Sequence, residues 1–524
     1  MSSHLLTYII FLPVLAAVFA LVIPKSQNQW FRLLALAVSV IQVFILILIV
    51  RQYQAESGTW RVVEQLPWFT IDLGSWKKLQ TEYYLAIDGL SLPLVSLTVI
   101  VMLIATISSW TIEKNQKGYF VLLLILNGAI IGSFTALDLL LFYLFFEFML
   151  LPMFFLIGIW GGPRREYASI KFFLYTLCGS ILILIVFIGL YLSSKMPDTY
   201  VHTFNIPYLY DESNFIDRTI FHPESSWLIA GLTARTWAFI LLFIGFGIKL
   251  PMVPFHTWLP DAHVEAPTPI SVVLAALLLK IGGYGILRIA YPVFPQEALS
   301  LSWLVALVGV VSIIYGALNA MASKDLKRLI AYSSVSHMGF VLLGIASVNV
   351  EGVSGAVYQM FSHGIITSML FLIAGVLYDR TNDRMIENYS GLVKVMPSFF
   401  VVVLIAFFAS LGLPGFSGFI AEVLVLLGSF KSNLFHVALP VLSTLGLALS
   451  AAYYLWTIQR MFFGPFHIRG LISPNTLFDL NRREYIMLIP LAIAALIFGI
   501  LPQPLLDYIN PFARTFVESI INNS

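Results

Sequence analysis

Charge is what this sequence lacks most. Only 11% of its 524 residues are Asp, Glu, Lys or Arg, against about 25% in a typical soluble domain. With 59% hydrophobic residues and a mean hydropathy of +0.90, it has too few charges to cover a water-soluble fold of this size. The formal net charge of +2, spread over scattered loop residues, excludes a nucleic-acid partner. Cysteine is almost absent. Cys178 stands alone in FFLYTLCGSILILIVF, so neither an intrachain disulfide nor a thiolate metal centre can form, and it reads as a small buried apolar residue. No CxxC, GxGxxG or Walker-type loop occurs, and no nucleophile–base constellation. His256 and His263, seven apart in a Pro-rich stretch, do not make a haem or metal site. Nor do the apolar runs alternate, which excludes a β-barrel.

What is present is a series of long apolar segments. A helix needs about 20 apolar residues to cross a membrane. About fourteen segments qualify, near 5–24, 30–50, 87–110, 118–136, 137–157, 168–193, 234–256, 268–290, 300–322, 327–347, 354–378, 398–429, 433–462 and 485–507. The fold class is therefore all-α integral membrane protein. The N-terminus has no basic stretch or cleavage site and reads as a first membrane helix. Residues 51–84 and 194–233 are the two long loops, expected to fold against one membrane face. With the N-terminus outside, seventeen Lys and Arg residues fall on the cytoplasmic side and ten, Lys77 among them, on the other. Basic residues favour the cytoplasm, so both termini are expected to be non-cytoplasmic.

Of the 29 basic residues this leaves Lys249 and Lys280, both inside predicted helices. A charge at the middle of a membrane helix costs roughly 2.5–3.5 kcal/mol on insertion scales. Glu147 in LLLFYLFFEFMLLPMFFL and Glu422 in GFSGFIAEVLVLLG are placed alike, and His337 and His363 lie on neighbouring helices. A structural ion pair could account for one such pair; six titratable groups point instead to a proton path. Two of the helices are also interrupted, by Pro251 and Pro254 after Lys249 and by Pro414, Gly415 and Gly418 before Glu422. Proline frees backbone groups, and interruptions in corresponding segments of two halves mark transport sites; IKLPMVPF and LGLPGFSGF share a weak likeness. Asp88 and Asp138, near helix starts, are expected to cap or orient.

The run HTWLPDAHVEAPTPISVVLAALLLKIGGYGILR (256–288), with Glu147 and IKLPMVPF before it, resembles the antiporter-like membrane subunits of respiratory complex I. SHMGFVLLG (336–344), LPGFSGFIAE (413–422) and AIDGLSLPLVSLT (86–98) extend the resemblance over nearly the whole chain. Glu422 points to the branch with a glutamate in its second broken helix, rather than the longer branch with a lysine there and an extra long C-terminal helix. The resemblance implies three N-terminal helices (1–110), two inverted five-helix repeats (111–293 and 294–465) and a C-terminal helix fourteen (466–524). It also implies that Glu147 pairs with Lys249, that Lys280 is the central relay, that His337 and His363 connect the central groups through water, and that Glu422 ends the path. The implied function is proton translocation driven by quinone reduction elsewhere in the complex. No cofactor is expected in this chain; NADH, FMN, iron–sulfur clusters and quinone would belong to other subunits. The implied partners are the other membrane-arm subunits, above all the neighbouring antiporter-like ones, and the lipid of a bacterial cell membrane. Alternatives are a subunit of a multisubunit cation/proton antiporter and a structural membrane scaffold. The loop 194–233 departs from the resemblance in its length.

Overall fold

Without water to solvate it, backbone crossing a membrane must satisfy its own hydrogen bonds, and this chain does so as helices. The computed structural model describes residues 4–72, 78–196, 201–225, 227–469 and 477–522; Lys77 lies outside them. The spans are α1 (Leu5–Val22), α2 (Asn28–Ala55), α3 (Ser91–Ser108), α4 (Gln116–Thr135), α5 and α6 (Leu139–Phe148 and Leu150–Trp160, one crossing), α7 (Arg165–Ser193), α8 and α9 (Ala234–Lys249 and Trp258–Glu265) and α10 (Thr268–Val293). After the short α11 (Pro295–Ser300) come α12 (Ser302–Ala322), α13 (Leu326–Ala346), α14 (Val350–Thr381), α15 and α16 (Pro397–Ser410 and Ser417–Lys431), α17 (Ala438–Phe462) and α18 (Arg482–Ile500). Among the described residues twelve helices are long and apolar enough to cross a membrane. The interrupted pairs α8–α9 and α15–α16 bring the crossings to fourteen, as the apolar segments predict. The interrupted crossings are the seventh and the twelfth, five apart.

Burial sorts these helices. The most apolar windows of α10 and α14 are wholly buried and that of α13 nearly so, whereas α1, α2, α7 and α17 face outward along much of their length. Phe19, Phe44, Ile185 and Leu445 are among the apolar side chains left exposed there, as lipid-facing surface requires. Cys178 also points outward, which corrects its reading as a buried residue: on α7 it falls on the lipid-facing stripe with Leu174 and Ile181.

Two further elements were not foreseen. The first long loop contains a β-hairpin, β1 (Arg61–Asp72) antiparallel to β2 (Lys78–Ile87), with Phe69 opposite Thr81 and Asp72 opposite Lys78. Its Glu64 caps the first helix: Oε1 accepts from the amide of Leu6 at 2.7 Å and Oε2 from that of Thr7 at 3.2 Å. The second is α19 (Gln503–Asn522), so the fourteenth crossing ends at Ile500, short of 507, and another helix follows it. Its buried residues Leu505, Ile509, Ala513, Phe516 and Ile520 form one stripe, laid against α14, α3 and the end of α10. Ser354 on α14 donates to Asn510 at 2.8 Å, and the Tyr358 hydroxyl donates to the Phe498 carbonyl.

Connections gather on two faces. On the first, the Gly162 amide donates to the Glu265 carbonyl and that of Leu326 to Arg384, both at 2.9 Å, and Tyr389–Ser390 pairs with His467–Ile468. On the second, the hairpin, the segment at 201–225 and α19 meet: Leu137 N–H donates to Tyr84 and Ile206 N–H to Leu137, each at 2.9 Å. Three basic residues assigned to loops are in fact buried. Arg235 bonds Glu212 and Glu297, Arg288 bonds Asp88, and Lys327 donates to the Ala266 carbonyl at 2.9 Å.

Candidate functional site

Lys280 sits on the helix that the fold encloses most completely. α10 carries a π-turn at Leu274–Leu278 and a second at Ile286–Ala290. A π-turn adds a residue and loosens the carbonyl ladder, and such turns recur at functional sites. The Lys280 ammonium uses this: it donates to the Ala275 carbonyl at 2.6 Å, and stands 2.7 Å from Nδ1 of His363 on α14. The lysine is fully buried. Nε2 of His363 has no hydrogen-bond partner among the described residues.

From His363 the polar groups run on into the second half. The rings of His363 and His337, on α13, lie 5.4 Å apart between centroids. A cavity of about 10 Å³ between them, bordered by Gln359 and Ser410, comes close to the ~10–15 Å³ that one water needs. His337 Nδ1 faces Oε1 of Glu422 at 3.7 Å, with the Gln359 amide at 3.2 Å. Hydroxyls line the far side: Ser410 donates to Tyr454 at 2.7 Å, and Tyr454 to Ser333 at 3.0 Å. Gln359, Ser410, Tyr454 and Ser333 were not singled out in the sequence, because single hydroxyls and amides within apolar helices give no periodic signal.

The two helix breaks place the outer charges. Lys249 is the last residue of α8, and Glu422 lies in the second turn of α16, after the loop at 411–416. Gly412 in that loop adopts φ +75°, which an L side chain resists, and a Cβ there would meet the Glu422 carboxylate. At the first break Gly282 of α10 approaches so closely that a Cβ would meet the Phe246 carbonyl and the Leu250 amide. This contact brings the end of α8, with Lys249, alongside the turn that bears Lys280. Pro251 and Pro254 occupy the first break and Pro414 and Gly415 the second.

Glu147 and Lys249 approach without touching. The Lys249 ammonium is buried and donates to the backbone carbonyl of Phe146 at 3.0 Å, beside the Phe146 ring. Glu147 is the next residue, at the end of α5, and its Oε1 has no partner among the described residues. No ion pair within 4 Å joins them there. Asp138 and Asp88 cap as expected. Asp138 accepts from the amides of Leu140 and Leu141 at the start of α5, and burial raises its pKa to about 6; Asp88 accepts from Leu90 and Ser91 before α3. Among the described residues no cluster of three metal-ligating side chains is present.

A model of the transmembrane family of NADH:quinone oxidoreductase and Mrp antiporter subunits matches residues 136–448, which include all six titratable groups. The chain belongs to this family. Family members similar to it include NADH-quinone oxidoreductase subunit M of Rhodobacter capsulatus, 40% identical over 99% of this chain and 97% of that protein. NADH-ubiquinone oxidoreductase chain 4 of Chondrus crispus is 39% identical over 97% and 96%. Subunit M is the branch to which Glu422 points. Among solved structures, a chain of respiratory complex I from Thermus thermophilus superposes with a TM-score of 0.82 at 29% identity, covering 98% of this chain and 99% of that one. A chain of the Mrp complex from Dietzia superposes with 0.81 at 19% identity, covering 99% and 100%, a likeness of fold.

Proposed function

We propose that this chain is the proton-translocating subunit M of a NADH-quinone oxidoreductase, moving protons along Glu147, Lys249, Lys280, His363, His337 and Glu422. The observation that carries this is the row of buried titratable groups from Lys280 through His363 and His337 to Glu422, joined at 2.7, 5.4 and 3.7 Å. Burial of so many ionisable groups is too costly for a scaffold to keep without use.

In this reading the cytoplasmic face is the first one, both termini lie outside, and the membrane is a bacterial cell membrane. Desolvation favours a neutral lysine and a nearby carboxylate a charged one, so a change in the separation of Glu147 and Lys249 sets when Lys249 gives up its proton. Gly282, which holds the two lysine-bearing helices together, makes that change felt at Lys280. The driving energy comes from redox subunits that hold NADH, FMN, iron–sulfur clusters and quinone; this chain binds none of them. Neighbouring antiporter-like subunits in the membrane arm are its partners. The Mrp likeness supports a second reading, a subunit of a cation/proton antiporter, in which the same row would exchange a cation for protons.

Glu422→Gln tests the path. The complex should assemble, and coupled proton transport into vesicles, at matched complex content, should fall; unchanged transport removes Glu422 from the path. Transport that follows an imposed cation gradient without any quinone reduction would favour the antiporter.

A further inference from the structure

A second line of polar groups leaves Lys280 in the opposite direction, along α10 itself. Tyr284 and Arg288 follow at four-residue spacing, and helix positions four apart share a face with Cβ atoms about 5–6 Å apart. Arg288 lies in the second π-turn. Its Nε donates to the Tyr284 hydroxyl at 3.2 Å, and its NH2 group donates to Oδ1 of Asp88 at 2.6 Å and to Ser91 at 3.3 Å. Trp60, Tyr284 and Phe512 surround the guanidinium, their ring centroids 4.7 to 5.6 Å away.

Asp88 is 2% exposed. Its Oδ1 is fully used, by Arg288 and the amides of Leu90 and Ser91, while Oδ2 has no partner among the described residues. Arg–carboxylate pairs are frequently bidentate, whereas this one engages Oδ1 alone and leaves Oδ2 open to a further partner. Beside it is a cavity of about 330 Å³ on the second face, between the hairpin and α19, bordered by Trp60, Arg61, Asp88, Arg288 and Thr515. The cavity is large enough for several water molecules, and Arg61, Asp88 and Arg288 on its otherwise largely apolar wall offer them polar partners.

We propose that Asp88 is an outward proton-release group for Lys280, reached through the Tyr284 hydroxyl, with Arg288 as the residue that positions both. The Lys280 ammonium gives its proton through bridging water to Tyr284, which passes one on and so carries no net charge. Oδ2 of Asp88 receives it and yields it to water in the cavity, returning to the carboxylate paired with Arg288. Lys280 is left neutral and ready for reloading. The route is separate from the one through Glu422, and α19 and the hairpin form its mouth.

This proposal rests on the reading of Lys280 as a relay, so the test separates the two. Asp88 also caps α3, so the variants chosen spare it. Tyr284→Phe keeps the ring packed against Phe134 and Phe142 and removes only the hydroxyl. With the complex reconstituted in vesicles at matched content, its coupled proton transport should fall by roughly 10²-fold, the scale of a lost positioned proton-transfer group. Thr515→Cys, in a Cys178→Ser background, should lose transport after treatment with a membrane-impermeant methanethiosulfonate applied to the second face. Lys280→Ala is run in parallel. If it abolishes transport while Tyr284→Phe and labelled Thr515→Cys pump as the wild type does, the outward route is wrong and the relay stands. If Lys280→Ala itself pumps normally, the relay reading fails and this route fails with it.

Discussion

Gly412 offers a way to move the Glu422 carboxylate without touching its chemistry. It stands at φ +75°, and a methyl group added there would fall on the position of Glu422 Oε2. Gly412→Ala therefore carries two penalties. Holding an L residue in the left-handed region costs about 1–2 kcal/mol. The second is steric, and the carboxylate can relieve it only by swinging out of its place 3.7 Å from His337. Gly415, three residues on at φ +96°, has nothing within 4 Å of an added Cβ, so Gly415→Ala bears the backbone penalty alone. Both variants should lower the thermal midpoint of the complex, Gly412→Ala by somewhat more than Gly415→Ala. They should part company in transport: Gly412→Ala should lose coupled proton uptake as fully as Glu422→Gln does, and Gly415→Ala should keep most of it. Uptake is measured in vesicles at matched complex content, with turnover followed alongside. Equal transport in the two alanine variants would refute the reasoning, because it would mean that the position of the carboxylate beside His337 does not matter.

Glu147→Ala and Lys249→Ala should each abolish most coupled transport, and the double variant should be no worse than the more severe single one, since both break one step; a loss equal to the product of the two would show that they act independently. Arg380 and Glu484 form a buried bidentate pair at 2.9 and 2.7 Å, so Glu484→Gln should destabilise by about 3–5 kcal/mol, seen as a lower thermal midpoint, while Arg380→Met with Glu484→Leu should recover much of that loss. A reporter fused to the C-terminus should read non-cytoplasmic; cytoplasmic signal overturns the assigned orientation.

All fourteen crossings were legible in the sequence because continuous apolarity is a strong signal in a chain so poor in charge. The two breaks were legible as well, since Pro251, Pro254, Pro414 and Gly415 interrupt otherwise apolar runs. What escaped was whatever depends on a different period or on distance. α19 is amphipathic: Asp507, Arg514 and Glu518 interrupt its apolar residues, so a search for unbroken runs passes over it, although Leu505, Ile509, Ala513 and Phe516 recur at helical spacing. The hairpin is masked because Tyr83, Tyr84 and Leu85 do not alternate cleanly with polar residues. For the site, burial of the charges could be read from their neighbours in sequence, but their partners could not. Nothing in the sequence tells that Lys280 meets Ala275 and His363, or that Arg288, counted among loop residues, is sealed against Asp88. Lys249 appeared to lie well inside a helix and proves to end one, because the break follows it at once.

The cap that Glu64 places on α1 has a consequence for how the chain is made. The amides of Leu6 and Thr7 find their acceptor only when residue 64 has been synthesised and the hairpin has formed. At about 5–20 residues per second, their acceptor is made roughly 3–12 seconds after them, during which α2 also emerges. The first crossing thus enters the membrane with its leading end unfinished, and its closure is a checkpoint that reports the arrival of the hairpin. A ribosome stalled before residue 64 should leave α1 inserted but open to exchange at those amides.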